Sequence, residues 1–354
     1  MTAVRPTALL AAIGALAAVG GLAIDARTML ACYLAAAVAL VSIPLGALGV
    51  MMISYLVRGY WTNDLHAPLS RAALTLPLAG LLFVPVLVGL PWLYPWAAGG
   101  VSGAFQSGYL LPWFFIGRTV AYFMIWSVIA IWVARSYGND AAMKRSASGG
   151  LIVFALTVSW AGIDWIESVE PHFHSSIYGL LFLIFVILSG LAFGMVAVLA
   201  LGYPRRARLD VYGGILLATL LLWVYNHAMQ YIVIWSGDIP DEVTWYLERL
   251  AGGWGVALWA LYIFQFIVPF FVLLPEGLRG GRAPLTALAE GTLALRFLEA
   301  IVLIVPAVDI KPWALLLDIP AAILLTVSLW WLAWNAPTLR VPKRLRLAAE
   351  RLYK

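Results

Sequence analysis

Apolar residues run in long stretches along this chain, and short polar segments close each one. A helix that crosses a bilayer needs about 20 consecutive apolar residues. Ten stretches meet that length, at roughly 7–24, 29–57, 72–90, 112–134, 148–166, 176–201, 211–236, 250–274, 285–306 and 313–334. Repeated runs of 18 or more favour helices over a barrel. The second run is long enough to tilt or to project from the bilayer. Pro44 is predicted to kink it, and Pro77 and Pro85 to break the third. The longest connections are 91–111 and 237–249. No segment forms a soluble domain, so residues 1–354 read as a single membrane domain. The first run, Leu9 to Ile24, has the length of a signal-peptide core. Asp25-Ala26-Arg27 is a poor cleavage site, so the run is read as a retained helix.

Composition sharpens this picture. Of the 354 residues 64% are hydrophobic and 11% charged, and the mean hydropathy is +0.95. Soluble domains carry about 25% charged residues, so the chain reads as an all-α integral membrane protein. The net charge of +5 comes from short basic loops and not from a nucleic-acid surface, so no nucleic-acid partner is expected. The single cysteine, Cys32, excludes a disulfide framework, and no haem-attachment or iron–sulfur spacing occurs.

The basic residues set an orientation. With the N-terminus inside, 17 of the 22 Lys and Arg fall in inner segments, including Arg205, Arg206 and Arg208 and the run from Arg340 to Lys354. The outer loops hold only Arg27, Arg249 and Lys311, and Arg118 and Arg296 lie within spans. That bias predicts ten transmembrane helices with both termini cytoplasmic.

One stretch then stands out. Trp160 to Gly179 is an apolar run that ends in Asp164, Glu167, Glu170, His172 and His174 before the next run begins. The orientation places it on the outer face. Asp164 and Glu167 are three apart and predicted to share a helix face, and Pro171 is predicted to stop that helix. Neighbouring carboxylates raise one another's pKa and histidine titrates near neutrality, so the cluster suits a proton exit. It equally suits a solvated loop that docks a partner. His172 and His174 with a nearby Glu form only a weak metal motif, and no metal is assigned.

Other ionisable groups lie inside the spans, where each costs about 2.5–3.5 kcal/mol on insertion scales and so needs a partner or a purpose. Arg296 and Glu299 share a face of the ninth span and can pair, with Glu290 nearer its inner end. Arg118 can pair with a carboxylate of the Trp160–Gly179 stretch. His227 sits in the seventh span beside Asn226 and ahead of Gln230. His66 falls in an inner loop and His172 and His174 at the outer surface, so no second histidine matches His227 in depth for a haem. Asp318 lies about a turn from the outer end of the last span and can reach the interface.

The residue order also resembles a known family. Asp164-Trp165, Ser168-Val169-Glu170-Pro171-His172 and Ser175-Ser176-Ile177-Tyr178-Gly179 are similar to the D-W-x-x-S-L-E-P-H-x-x-S-T-I-F/Y-G signature of the ActF family. That family supplies the second large membrane subunit of alternative complex III, a bacterial quinol:cytochrome c (or quinol:acceptor) oxidoreductase. Gln230-Tyr231, Ile234-Trp235, Ile239-Pro240-Asp241-Glu242 and Trp245-Tyr246 resemble a second motif, and Pro269-Phe270 with Leu273-Leu274 a third. Val169 stands where the family has Leu, and Ser236-Gly237-Asp238 replaces Y-A-N. The matches fall between about 160 and 275; the first 110 residues match in hydropathy alone.

The resemblance implies an NrfD-like fold of two four-helix bundles, helices 2–5 (about 29–166) and 6–9 (about 176–306), with helices 1 and 10 peripheral. It implies a bacterial inner membrane, a sister NrfD-like subunit, an iron–sulfur subunit and cytochrome c subunits. Iron–sulfur clusters and haem c would sit in those partners, with no cofactor bound by this chain. The leading expectation is therefore a redox-inactive subunit of a quinol-oxidising respiratory complex that docks outer redox subunits. Its candidate proton pathway is Asp164, Glu167, Glu170, His172, His227, Glu290, Arg296 and Glu299. Two alternatives stay open. One is a quinone-binding anchor like those of polysulfide or dimethyl sulfoxide reductases, with His227, Gln230 and Trp235 as quinone contacts. The other is a free-standing transporter.

Overall fold

Asp25 opens the longest helix. Its carboxylate accepts from the backbone N–H of Arg27 and Thr28 and from the Thr28 hydroxyl, which satisfies donors that a helix start leaves unpaired. In the computed structural model, which describes residues 4–57, 59, 61–99, 108–200, 209–308 and 313–335, α1 (Val4–Ile24) precedes this helix, α2 (Ala26–Val57). There follow α3 (Trp61–Ala73), α4 (Pro112–Ser136), α5 (Asp140–Trp165), α6 (Tyr178–Ala200) and α7 (Leu209–Gly237). The last part of the fold is α8 (Pro240–Leu250), α9 (Gly252–Tyr262), α10 (Val268–Leu273), α11 (Arg282–Ile304) and α12 (Leu315–Trp334). Among the described residues the regular elements are all helical. Nine stretches of them are long and apolar enough to cross a membrane, the pattern of a multi-pass membrane protein.

The tenth expected span, α11, has 23 residues but carries Glu290, Arg296 and Glu299 along its length, which keeps it out of that apolar set. The basic residues Arg58, Arg205, Arg206, Arg208 and Lys311 and the run from Arg340 to Lys354 lie outside the described residues.

At the centre α2 crosses α6, and both are sheathed by other helices: α2 by α3, α5, α11 and α12, α6 by α5, α7 and α11. Glycine makes the crossing close. A Cβ on Gly46 would meet the carbonyl oxygen of Val186, and one on Gly190 would strike the Gly46 backbone. One turn away the Ser42 hydroxyl donates to Ser189, 2.8 Å across the same interface. Small residues that let backbones approach are what holds helices together without a hydrophobic gain. Helix α1 lies on α12 and on α2.

Several boundaries differ from those the pattern predicts. Helix α2 continues through Pro44. The third span is broken, with Pro77, Pro85 and Pro91 each at the start of a new short helical piece, where a missing N–H costs nothing. It begins earlier than hydropathy suggests, so His66 is in α3, buried and stacked on Tyr137 with ring centroids 3.5 Å apart. Residues 240–250, expected as loop, form α8, which buries Trp245, Tyr246 and Arg249. Asp318 does not reach an interface: it is 1% exposed, with its carboxylate packed against Gly21.

Candidate functional site

Helix α5 ends at Trp165, well before Pro171. The Ser168 hydroxyl donates to the Asp164 carbonyl, a local side-chain bond that competes with helix continuation, and Glu167–Val169 tighten into a 3-10 turn. Asp164 and Glu167 therefore do not act on one face as expected. Asp164, fully buried, turns to α4. The Arg118 guanidinium donates to it twice, both at 2.9 Å, and the phenols of Tyr109 and Tyr122 donate at 3.0 and 2.7 Å. The Tyr109 ring lies 3.8 Å beneath the guanidinium. Burial and the Asp164 charge push the Tyr109 phenol up to about 12, so it stays a donor. Four donors on one carboxylate leave it saturated.

Glu167 turns to the loop that follows, where its Oε1 accepts from the Ser175 N–H at 2.7 Å. Glu170 pairs with Arg249 of α8 at 2.5 Å. Arg249, wholly buried, also donates to the carbonyls of Trp245, Val302 and Leu303. It thus ties α8 and the end of α11 to the Glu170 turn. Beside this pair the Glu248 carboxyl is raised above its usual range by burial and by Glu170, with Arg249 opposing. His172 and His174 are exposed, and no group of three potential metal ligands occurs among the described residues.

The second cluster lies one turn inside Leu303. Glu299 pairs with Arg296 on α11. Its Oε1 accepts from the Trp223 indole at 3.0 Å and lies 3.1 Å from His227 Nε2, both on α7. The other His227 nitrogen faces the Tyr262 hydroxyl of α9 at 3.4 Å. Arg296 rests against the rings of Phe185 and Trp223. Unlike Asp164 this cluster is not saturated: Arg296 Nη1 lies against Glu299 Oε2, while Arg296 Nε and Nη2 lack hydrogen-bond partners.

Cavities adjoin it on two sides. Two small ones, about 10 Å³ each, are both lined by His227, Glu299 and Leu303. One also reaches Tyr178, the other Trp245 and Tyr246. That is room for about one water each. Tyr178 in turn lies within electrostatic reach of Glu167, Glu170, Arg249 and Glu299. A larger cavity of about 480 Å³ opens between α7 and α9, lined by His227, Tyr231, Tyr246, Trp259, Tyr262 and Phe266 among others.

Of the expected proton-pathway residues, the structure thus brings Glu170, His227, Arg296 and Glu299 together where the Glu170 turn, α7, α8 and the later part of α11 meet. It places Asp164 in a separate knot and Glu290 on an exposed face of α11. Of the expected quinone contacts only His227 lines the large cavity. Gln230 faces Ser175, and Trp235 stacks on Tyr231 outside the cavity. Tyr231, four residues after His227, lines the cavity with it, whereas Gln230 is engaged by the Ser175 loop. Sequence reasoning missed Tyr231, Tyr262 and Arg249. Comparison with protein-family models gives no match, and comparison with curated proteins gives none.

Proposed function

We propose that this chain is a redox-inactive membrane subunit of a quinol-oxidising complex of the alternative complex III type, and that it conducts protons through the Glu299 cluster. The observation that carries the proton role is the position of the Glu299–His227 pair: two water-sized cavities join it to Leu303, whose carbonyl is held by the Arg249–Glu170 pair. Glu299 and His227 lie 3.1 Å apart, and both line each of the two single-water cavities. The Arg296 guanidinium lies against the Glu299 carboxylate. The orientation rule puts Glu170 on the outer face, so release is outward.

The ActF-like motifs support the wider assignment, because they coincide with this machinery: Glu170 and Tyr178 lie in the first motif, and Trp245-Tyr246 close the second. In this reading the chain sits in a bacterial inner membrane beside a sister NrfD-like subunit. An iron–sulfur subunit and cytochrome c subunits hold the redox centres. The two bundles of the NrfD-like arrangement meet at the α2–α6 crossing.

The test is proton flux in liposomes carrying the full chain with its co-purifying subunits, driven by a potassium diffusion potential. Glu299→Gln should cut flux at least tenfold. The double variant R296Q/E299Q removes both charges and so avoids leaving either buried alone; it should fold and be equally inactive. Wild-type flux in the double variant would defeat the proposal, as would a wild-type preparation that conducts nothing.

The 480 Å³ cavity favours a second reading, a quinone-binding anchor. It has the size, the aromatic lining and the few polar groups, His227 and Tyr262, of a site for a flat apolar molecule. A photo-reactive quinone should then label Tyr231, Trp259 or Phe266. Label confined to a sister subunit would reject this reading and leave the proton role standing.

A further inference from the structure

The bundle holds one more polar group without a function, and it lies where the helix is irregular. Between α9 and α10 the chain makes a π turn, Ile263–Ile267. Pro269 explains it: proline has no N–H to return to the carbonyl of Gln265, four residues back, and its ring crowds that carbonyl. Widened turns of this kind recur at functional sites. Gln265 sits in the turn and is 0% exposed. Its amide N–H donates to Thr292 of α11 at 3.3 Å, while its Oε1 has no partner. Thr292 is 2% exposed and lies one turn before Arg296, on the same face of α11.

A column therefore runs along α11 from Gln265 and Thr292 through Arg296 to Glu299. It contains one unpaired acceptor at the bottom, Gln265 Oε1, and above it two unpaired nitrogens, Arg296 Nε and Nη2, with Nη1 turned to Glu299. A buried amide oxygen or guanidinium N–H without a partner costs about 1–3 kcal/mol or more. Gln265 meets α11 at the level of Thr292, one α-turn, or about 5.4 Å of rise, before Arg296, and no direct bond joins the acceptor to the donors. Water fits both: it donates to Gln265 and accepts from Arg296.

We propose that Gln265 and Thr292 hold buried water beneath Arg296, and that this water forms the inward limb of the path whose outward limb leaves Glu299. The proton role rests on the proposed function; the water site does not. The π turn is then what turns an amide toward α11 at mid-helix, and Pro269 is what keeps the turn open.

Two measurements separate the claims. A cryo-EM map of the intact assembly at a resolution that shows ordered water should contain density between Gln265, Thr292 and Arg296 that is lost in Gln265→Leu. Continuous side-chain packing there in the wild type would overturn the water site. In the liposome assay Q265L and T292V should each lower flux about tenfold with unchanged helical circular dichroism; T292V alters the column even if Q265L does not fold. Wild-type flux in the folded variants, in a preparation that Glu299→Gln blocks, would overturn the inward limb and spare the proposed function. A wild type that conducts nothing would overturn the proposed function and with it the limb, while the density would still decide the water site.

Discussion

Among the described residues, the arginine–carboxylate pairs Arg118–Asp164 and Arg296–Glu299 lie within the helical spans and differ in how completely they are bonded. Asp164 receives two N–H groups from Arg118 and two phenols, and the guanidinium is stacked on Tyr109. Glu299 receives Arg296, an indole and an imidazole and lines two water-sized cavities, and two Arg296 nitrogens, Nε and Nη2, are left unpartnered. A closed network rigidifies, because every rearrangement breaks a bond in a medium that cannot replace it. An open one can exchange a proton or admit water at little cost. The same pair of residue types is thus closed at Asp164 and open at Glu299, and the proposed proton role rests on that difference.

The strongest way to break this comparison is to unbalance the closed pair. Arg118→Ala strands the Asp164 carboxylate, which is 0% exposed. Loss of one partner of a buried ion pair costs about 3–5 kcal/mol. Thermal unfolding followed by circular dichroism in detergent should show that loss, while whatever folds should conduct protons at the wild-type rate. A stable Arg118→Ala protein with lowered flux would put Asp164 on the path and erase the distinction between the pairs.

A gentler change sharpens it. Tyr122→Phe removes a single hydrogen bond, 2.7 Å long, from Asp164. Three donors remain, so the expected cost is about 1.5 kcal/mol, the lower end for a bond to a charged group, with no change in flux. The matching change at the open pair, Tyr262→Phe, removes the 3.4 Å contact to His227. It should barely alter stability and should slow flux. If the two tyrosines behave alike, saturation is not what separates the clusters.

The sequence carried part of this difference. Arginine and carboxylates inside apolar runs are conspicuous, and their spacing along α11 was enough to pair Arg296 with Glu299. The partners that saturate Asp164 were not legible: Tyr109 and Tyr122 are ordinary aromatic residues until the fold brings them to one carboxylate. Other features were present and went unread. Ile239-Pro240-Asp241-Glu242 has proline in the first turn, two acidic residues behind it and Arg249 in the last turn, the signals of a short helix. Reading α8 as a helix would have pointed Arg249 inward, to Glu170. Pro269 likewise marks Gln265 by counting back four. What hydropathy cannot supply is depth within a bundle, which is why His66 and Asp318 were placed at surfaces and proved buried.

The smallest effect lies at the mouth of the open cluster. Burial and Glu170 raise the Glu248 carboxyl, against the pull of Arg249. A raised carboxylate pKa means that ionisation is harder in the folded state than in the unfolded one. Glu248 therefore opposes folding once pH exceeds its ordinary value of 4.5, and ceases to do so below it, where both states are protonated. Glu248→Gln should stabilise the protein near neutral pH by no more than about 0.5 kcal/mol, since the group is largely solvated and screened. The gain should vanish as pH falls below 4.5 and shrink with added salt. Destabilisation at neutral pH would mean that Glu248 shares Arg249 with Glu170. The exit would then be a closed three-charge network like the Asp164 knot, and the contrast between the two ends would be one of degree.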